Sequence, residues 1–325
     1  MRSIIHETFG DPATVLKPGE SPDPVAGKGE VLVRTILSPI HNHDLWTVRG
    51  SYGYKPELPA IGGSEAVGIV ESVGDGVDAG LVGKRVAAAG IRGSWAEKFT
   101  VPVGAAVPLP DAISDELGAQ LIAMPFSAIS LLEFLEVEKG DRVIQTAANG
   151  AVGKILAVLA KSRGIETLNL VRRDEAVGEL EALGMENVIS TASDGWKERA
   201  KAILGENGAR AAVDSVGGAI ASDLADLLGN DGLLVTFGTA TGAPLELNSG
   251  TLIFKHLTVK GFWGARVSAE MAPQDRARLV GELVGLAASG KLDLATGGIY
   301  GFDDAAAAMK AAQTPGRKGK ILLRP

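Results

Sequence analysis

The sequence predicts a two-domain α/β chain, a β-rich domain joined to a doubly wound domain built on a parallel sheet. Three observations carry this prediction. The chain has 325 residues, and domains usually take about 100–200. Short Val- and Ile-rich runs, bounded by Gly, Pro or Asp, crowd the first third of the chain. From Asp141 onward, strand-like and helix-like segments alternate, which implies a parallel sheet covered on both faces.

In order along the chain, Glu30–Ser38 and Glu65–Gly74 read as strands, and Gly83–Gly90 and Ser94–Pro102 continue the pattern. The texture changes near Asp115. The segment from Glu116 to Leu135 spaces its apolar residues three and four apart and predicts a helix. A strand over Asp141–Ala148 is followed by a helix over Ala151–Gly164, closed by its glycine. Strand Thr167–Arg173 precedes a helix over Asp174–Gly184, and Glu186–Ser190 is a short third strand. The next helix, Asp194–Gly205, takes Asp194 as its expected N-cap. Strand Ala211–Gly218, helix Ala219–Leu228, strand Gly232–Gly238 and strand Leu257–Gly264 complete the series. A long helix follows near Gln274–Ser289, and the apolar run Ile321–Leu323 can return as a strand to the first domain. The expected division is therefore 1–122 and 265–325 for the first domain, with 123–264 inserted as a cofactor domain.

Composition narrows the function. Thirty-two bases against thirty-nine acids leave a net charge of −7, which argues against nucleic acid or an anionic membrane surface as partner. The absence of cysteine excludes disulfides, a thiolate nucleophile, iron–sulfur clusters and thiolate-bound zinc. No apolar run reaches the ~18–20 residues that span a bilayer, and the first ten residues carry no signal-peptide core. A cytoplasmic location and a small-molecule substrate are the resulting expectations.

The strongest local signal is Gln145–Lys154, QTAANGAVGK, where Ala148, Gly150 and Gly153 hold the three glycine positions of G-x-G-x-x-G. A strand precedes it and a helix follows, as a dinucleotide-binding turn requires. Gly150 would admit the pyrophosphate to the backbone, and Gly153 would let the helix pack close to the sheet. Asn149, Gly150, Ala151, Val152 and Gly153 are thus candidate cofactor residues at a helix N-terminus. At the end of the second strand stand Arg172, Arg173 and Asp174. Two guanidinium groups suit a 2′-phosphate, whereas a carboxylate suits a free ribose hydroxyl. NADPH is the favoured cofactor, and Asp174 leaves NADH open.

These motifs resemble the medium-chain dehydrogenase/reductase superfamily, in its zinc-free branch, with 2-enoyl thioester reductases nearest and quinone oxidoreductases next. The likeness covers nearly the whole chain. Pro39–Gly68 resembles the active-site segment, and VIQTAANGAVG, NLVRRD, VDSVGG, VTFG and LIFKHLTVKGFW follow in the family's order. The resemblance implies a GroES-like β-rich catalytic domain, a Rossmann cofactor domain and a homodimer. It implies that Phe237, Gly238 and Thr239 line the nicotinamide side, and that Phe262 and Trp263 meet cofactor and substrate.

Zinc alcohol dehydrogenases share this fold. Here their first cysteine position holds His41, their G-H-E reads Gly63-Ser64-Glu65, and the second cysteine falls near Ala123-Met124-Pro125. His41, His43, Asp44 and Glu65 could form a nitrogen/oxygen metal set, but a hydrogen-bonded network is the favoured reading and no metal is expected. Without a metal the acceptor's charge needs an organic donor. Gly50-Ser51-Tyr52 resembles the G-x-Y of the enoyl reductases, which makes Tyr52 the expected proton donor and Tyr54 its competitor. Met124 stands where those reductases tend to carry Asn. His41 could share a proton with a substrate carbonyl or with ribose hydroxyls, and Trp46 and Trp95 could wall the pocket, with a core role the favoured expectation for each. The function so read is NADPH-dependent reduction of a 2-enoyl thioester, with quinone or enone reduction and non-catalytic NADPH binding as alternatives.

Overall fold

The computed structural model describes residues 1–325. The chain divides into two compact units, Met1–Ala123 with Val280–Pro325, and Met124–Leu279.

The first unit opens with β1 (Arg2–His6), α1 (Pro12–Val15), β2 (Lys17–Glu20), β3 (Glu30–Pro39) and α2 (Asn42–Arg49). It continues through β4 (Ala60–Ile61), β5 (Glu65–Val73), β6 (Arg85–Ala89), β7 (Lys98–Pro102), β8 (Ala106–Pro108) and α3 (Asp115–Gly118) to the start of α4 (Ala123–Phe134). One sheet has the order β2-β1-β4. In β3 alternate residues Val31, Val33, Thr35 and Leu37 point inward, the period expected of a strand with one buried face. Strand β5 crosses β3 so closely that a Cβ on Gly68 would lie 2.3 Å from the Arg34 carbonyl oxygen. Glycine is required at that crossing.

The second unit carries β9 (Arg142–Gln145), α5 (Ala151–Ser162), β10 (Glu166–Val171), α6 (Glu175–Glu181), β11 (Val188–Ser190) and α7 (Trp196–Leu204). β12 (Ala209–Asp214), α8 (Ile220–Leu227), β13 (Leu228–Thr236), α9 (Ser249–Phe254), β14 (Thr258–Gly261), α10 (Gly264–Glu270) and the beginning of α11 (Pro273–Ala288) complete it. Its six strands are all parallel, in the order β11-β10-β9-β12-β13-β14. Sequence order reverses between β9 and β12, the switch point at which such sheets bind dinucleotides. The chain then returns to the first unit with β15 (Thr296–Gly301), α12 (Ala305–Gln313) and β16 (Lys320–Arg324). β16 pairs antiparallel with β3, so the C-terminal apolar run does rejoin the first unit. It completes the larger sheet there, in the order β15-β16-β3-β5-β6-β8, with β7 also paired to β3.

Three details differ from expectation. The helix read over Glu116–Leu135 is two helices, α3 and α4. Its interruption has a cause in the buried Glu65, whose Oε1 accepts the N–H groups of Ile122 and Ala123 at 2.7 and 2.8 Å. Asp194 does not cap α7. The N-cap is Gly195 at φ 68°, and Asp194 instead offers its carbonyl to the Arg199 guanidinium at 2.7 Å. The division expected after residue 264 falls after Leu279, inside α11. The first turns of α11 are tied to the second unit, because Arg278 bonds Glu133 at 2.7 Å and the Arg276 guanidinium lies 4.8 Å over the Phe126 ring.

Candidate active site

In the second unit, the turn between β9 and α5 is shaped as a phosphate cradle. Ala147 takes φ 51°, and the Gly150 N–H returns to the Ala147 carbonyl at 2.8 Å. Gly150 is the N-cap of α5. The N–H groups of Ala151, Val152 and Gly153 form the first turn, ahead of which no intrahelical acceptor exists. A Cβ on Gly153 would meet the Cα and carbonyl oxygen of Ala148 at 2.8 Å. That glycine lets the helix touch the turn at Ala147 and Ala148. Asn149 and Gly150 are exposed beside it. The sequence reading missed Gln145, whose buried Nε2 donates to the Gly153 carbonyl at 2.9 Å and to Asn169 Oδ1 at 2.7 Å. It clamps the turn to β10. Its signal was present, a glutamine inside an otherwise apolar strand.

Just past β10, Arg172 and Arg173 are exposed and neither guanidinium pairs with a carboxylate. Asp174 is exposed too, but its Oδ1 accepts from the Ser193 hydroxyl at 2.6 Å. The hydrogen bonds from Ser193 and then Ser190 hold its carboxyl below the usual range. The free donors at this corner are the two arginines. An NADP-type dinucleotide therefore fits this unit. The first turn of α5 would hold the pyrophosphate, and Arg172 and Arg173 would hold the 2′-phosphate.

Phe237, Gly238, Thr239, Phe262 and Trp263 also come together. With Phe134 they line one open cavity of about 630 Å³. Phe262 is buried between Phe134 and Phe237, ring centres 5.3 and 5.8 Å away, while Trp263 is 64% exposed. Gly238 is needed where β13 ends, since a Cβ there would lie 2.9 Å from the Ser215 carbonyl oxygen.

In the first unit, the end of β3, helix α2 and the start of β5 gather a polar cluster. His41 and Glu65 are wholly buried, with Nε2 2.7 Å from Oε2. Burial pushes the Glu65 carboxyl up to about 8, against the pull of the Ala123 and Ile122 N–H groups. Burial, and then the charge of Lys320, holds His41 well below its ordinary range. Both shifts favour a neutral pair, in which a protonated carboxyl donates to the imidazole. Lys320 is itself pushed down to about 8 by burial and by Arg317. Asp44 accepts from the His41 N–H at 2.9 Å and from the Ser64 hydroxyl at 2.7 Å. Its first bond caps α2, and Gly50 closes that helix at φ 72°.

These contacts correct two expectations. His41 is sealed from any substrate carbonyl or ribose hydroxyl, because its ring is 0% exposed. Trp46 is not in the core but 46% exposed, whereas Trp95 is fully buried and donates to the Pro39 carbonyl at 3.1 Å. The same contacts test the set against zinc. His41 Nε2 and Glu65 Oε2 face each other at hydrogen-bond distance, and the other Glu65 oxygen and both Asp44 oxygens already accept hydrogen bonds. A zinc ion needs about four donors roughly 2.0–2.3 Å from one centre. This donor set, which contains no sulfur, does not fit it.

Tyr52 follows Gly50 on an exposed loop, its ring centre 5.9 Å from His43 and 6.4 Å from Trp46. Tyr54 is exposed as well, but the Arg92 guanidinium covers its ring at 4.8 Å. Tyr300 packs against the core of this unit.

Comparison with known proteins agrees with the architecture. The family described as alcohol dehydrogenase GroES-like domain matches residues 27–111, and that described as zinc-binding dehydrogenase matches residues 151–280. The chain is 34% identical to a mitochondrial enoyl-[acyl-carrier-protein] reductase of Caenorhabditis elegans, over 90% of this chain and 86% of that protein. It superposes on the Escherichia coli quinone oxidoreductase complexed with NADPH with a TM-score of 0.85, at 29% identity, covering 100% of both chains. A mycobacterial quinone oxidoreductase gives a TM-score of 0.89 at 27% identity, again over 100% of each chain. No helix is long and apolar enough to cross a membrane. With a β-rich unit closed by both chain ends, a parallel six-stranded unit carrying the glycine turn, and these likenesses along its length, the chain belongs to the medium-chain dehydrogenase/reductase superfamily, among the enoyl reductases and quinone oxidoreductases.

Proposed function

We propose that this chain is an NADPH-dependent, metal-free reductase of activated double bonds, with 2-enoyl thioesters as its first substrate class. The observation that carries the reading is the pairing of a phosphate cradle at Gly150–Gly153 with two unpaired arginines at the end of β10. Bound NADPH supplies the hydride. The first-turn N–H groups of α5 hold its pyrophosphate, and Arg172 and Arg173 select the phosphorylated ribose over a free one. Phe237, Gly238, Thr239, Phe262 and Trp263 form the nicotinamide wall. Tyr52 supplies the proton that completes reduction. A phenol is protonated at neutral pH and can donate to an enolate, and the ring of Tyr52, unlike that of Tyr54, is not covered by a cation.

Likeness to the quinone oxidoreductases over the full chain favours a second reading, quinone or enone reduction on the same scaffold. Turnover of crotonyl thioester and of a small quinone, each with NADPH and with NADH, decides between them. The first reading expects NADPH-dependent crotonyl reduction, and Tyr52→Phe to lower its kcat by ~10²-fold or more with NADPH affinity unchanged. Full-rate enoyl reduction by Tyr52→Phe would remove Tyr52 from its role.

A homodimer belongs to the same proposal. β14 is an unpaired sheet edge exposed along its length, and Ile253 and Phe254 stand 69% and 87% exposed on α9 just before it. A second copy would cover such an edge. Cytoplasmic placement is likewise a proposal. The curated relative is named mitochondrial, and cell fractionation separates the two.

A further inference from the structure

The reduction proposed above leaves one step without an agent, the return of a proton to Tyr52 after each turnover. Ser64 and Asp44 single out the residue beside it. The Ser64 hydroxyl has one proton, and it goes to Asp44 Oδ1 at 2.7 Å. A carboxylate can only accept, so the Ser64 oxygen must accept from its other neighbour, His43 Nε2, also at 2.7 Å. His43 therefore carries a hydrogen on Nε2, and in the neutral ring the lone pair is on Nδ1. Asp44 is itself fixed, because its second oxygen caps α2 through the His41 N–H. The His43 ring is further held by stacking on the buried His41 ring, 5.0 Å away at 13°. It remains 23% exposed to water and presents itself to the Tyr52 ring at 5.9 Å.

We propose that His43, locked as the Nε2–H tautomer by Ser64 and Asp44, is the positioning residue behind Tyr52 and reloads it with a proton through Nδ1. The proposal rests on the reductase reading. The Tyr52 O–H bond breaks as its proton passes to the carbanionic carbon of the reduced substrate. His43 Nδ1 takes a proton from solvent and passes it to the phenolate, which restores neutral imidazole and phenol. One solvent proton is consumed and no electrons move in this step.

Nitrogen-15 NMR of the imidazole side chains of the full chain, with His43→Gln to assign the signal, reads the lock directly. The expected result is a pyridine-type Nδ1 in the wild type and a tautomer mixture in Ser64→Ala. An Nδ1–H tautomer in the wild type overturns the proposal. In steady-state assays His43→Ala is expected to lower kcat about tenfold to a hundredfold, with KM and NADPH affinity within about twofold, and added imidazole is expected to restore part of the loss. Turnover of His43→Ala within about twofold of wild type, or a loss that imidazole leaves unchanged, overturns it. The spectrum needs no turnover. A wild-type chain inactive on both substrate classes would therefore end the reductase reading, while the spectrum separately upholds or overturns the lock.

Discussion

Replacing Glu65 by Gln tests the sealed pair in the first unit. Gln has the shape of a protonated Glu. Its oxygen can accept the Ile122 and Ala123 N–H groups, and its amide can donate to His41 Nε2. In the unfolded chain Glu65 releases its proton near the ordinary 4.5, but in the native chain only near 8. Between those values the native state binds more protons than the unfolded state. The Glu65 contribution to wild-type stability must then fall as pH rises, by about 1.4 kcal/mol per pH unit. The contribution is fully present below 4.5 and is lost by about 8. Over roughly 3.5 pH units it amounts to about 5 kcal/mol, a large share of a typical stability of about 5–15 kcal/mol. Glu65→Gln cannot ionise and does not suffer this loss, while Lys320 and His41 titrate in both proteins. Urea unfolding at pH 5, 6, 7 and 8, followed by tryptophan emission with the buried Trp95 as reporter, measures the difference. The two proteins should lie within about 1 kcal/mol of each other at pH 5. The variant should then gain on wild type by about 1 kcal/mol per unit up to pH 8. A difference that stays constant across this range would show that Glu65 is ionised in the native state, and the neutral pair would be refuted.

Two further outcomes follow from the second unit. Arg172→Ala should weaken NADPH by about tenfold to a hundredfold, the worth of a charged hydrogen bond at ~1.5–3 kcal/mol, and leave NADH within about twofold, both read by calorimetric titration. Equal effects on the two would remove the phosphate clamp. Gly153→Ala places a Cβ 2.8 Å from the Ala148 backbone, which cannot yield as a flexible side chain would. A cost of about 1–3 kcal/mol should appear as a lower Tm together with weaker NADPH binding.

The second unit was more legible in sequence than the first because its information is local. A strand, a glycine turn and an apolar-faced helix lie within Arg142–Ser162, and each strand pairs in parallel with a neighbour that such patterns announce. Boundaries set by distant partners were less legible. The break between α3 and α4 depends on Glu65, more than fifty residues earlier, and apolar periodicity alone runs straight through it. Where the insertion ends depends on Arg276 and Arg278 reaching back to Phe126 and Glu133. The failed cap at Asp194 is an offset of one residue, with Gly195 supplying the positive φ and the aspartate left as an acceptor for Arg199.

The site shows the same contrast with a chemical consequence. Cysteine-free composition and His41 at a cysteine position suggested a network instead of a metal, but sequence could not show that His41 and Glu65 would be buried against each other. Burial is decided by β16, which returns from the far end of the chain and pairs with β3 near Pro39, and by the charged Lys320 at its start. Once sealed and neutral, the pair can neither reach nor polarise a substrate carbonyl. On the proposed reading the donor then stands one layer further out, on the loop beyond α2. Beside the sealed pair stand the half-buried His43 and the exposed Asn42, Trp46 and Tyr52; on that reading the phenol of Tyr52 is the donor and the second ring nitrogen of His43 reloads it. A pair that does not fit a metal leaves the acid chemistry, on the proposed reading, to the loop beyond α2 and not to the buried end of β3. Tyr52→Phe and His43→Ala should therefore impair the same half-reaction, proton delivery, and their combined loss should fall well short of the product of the single losses.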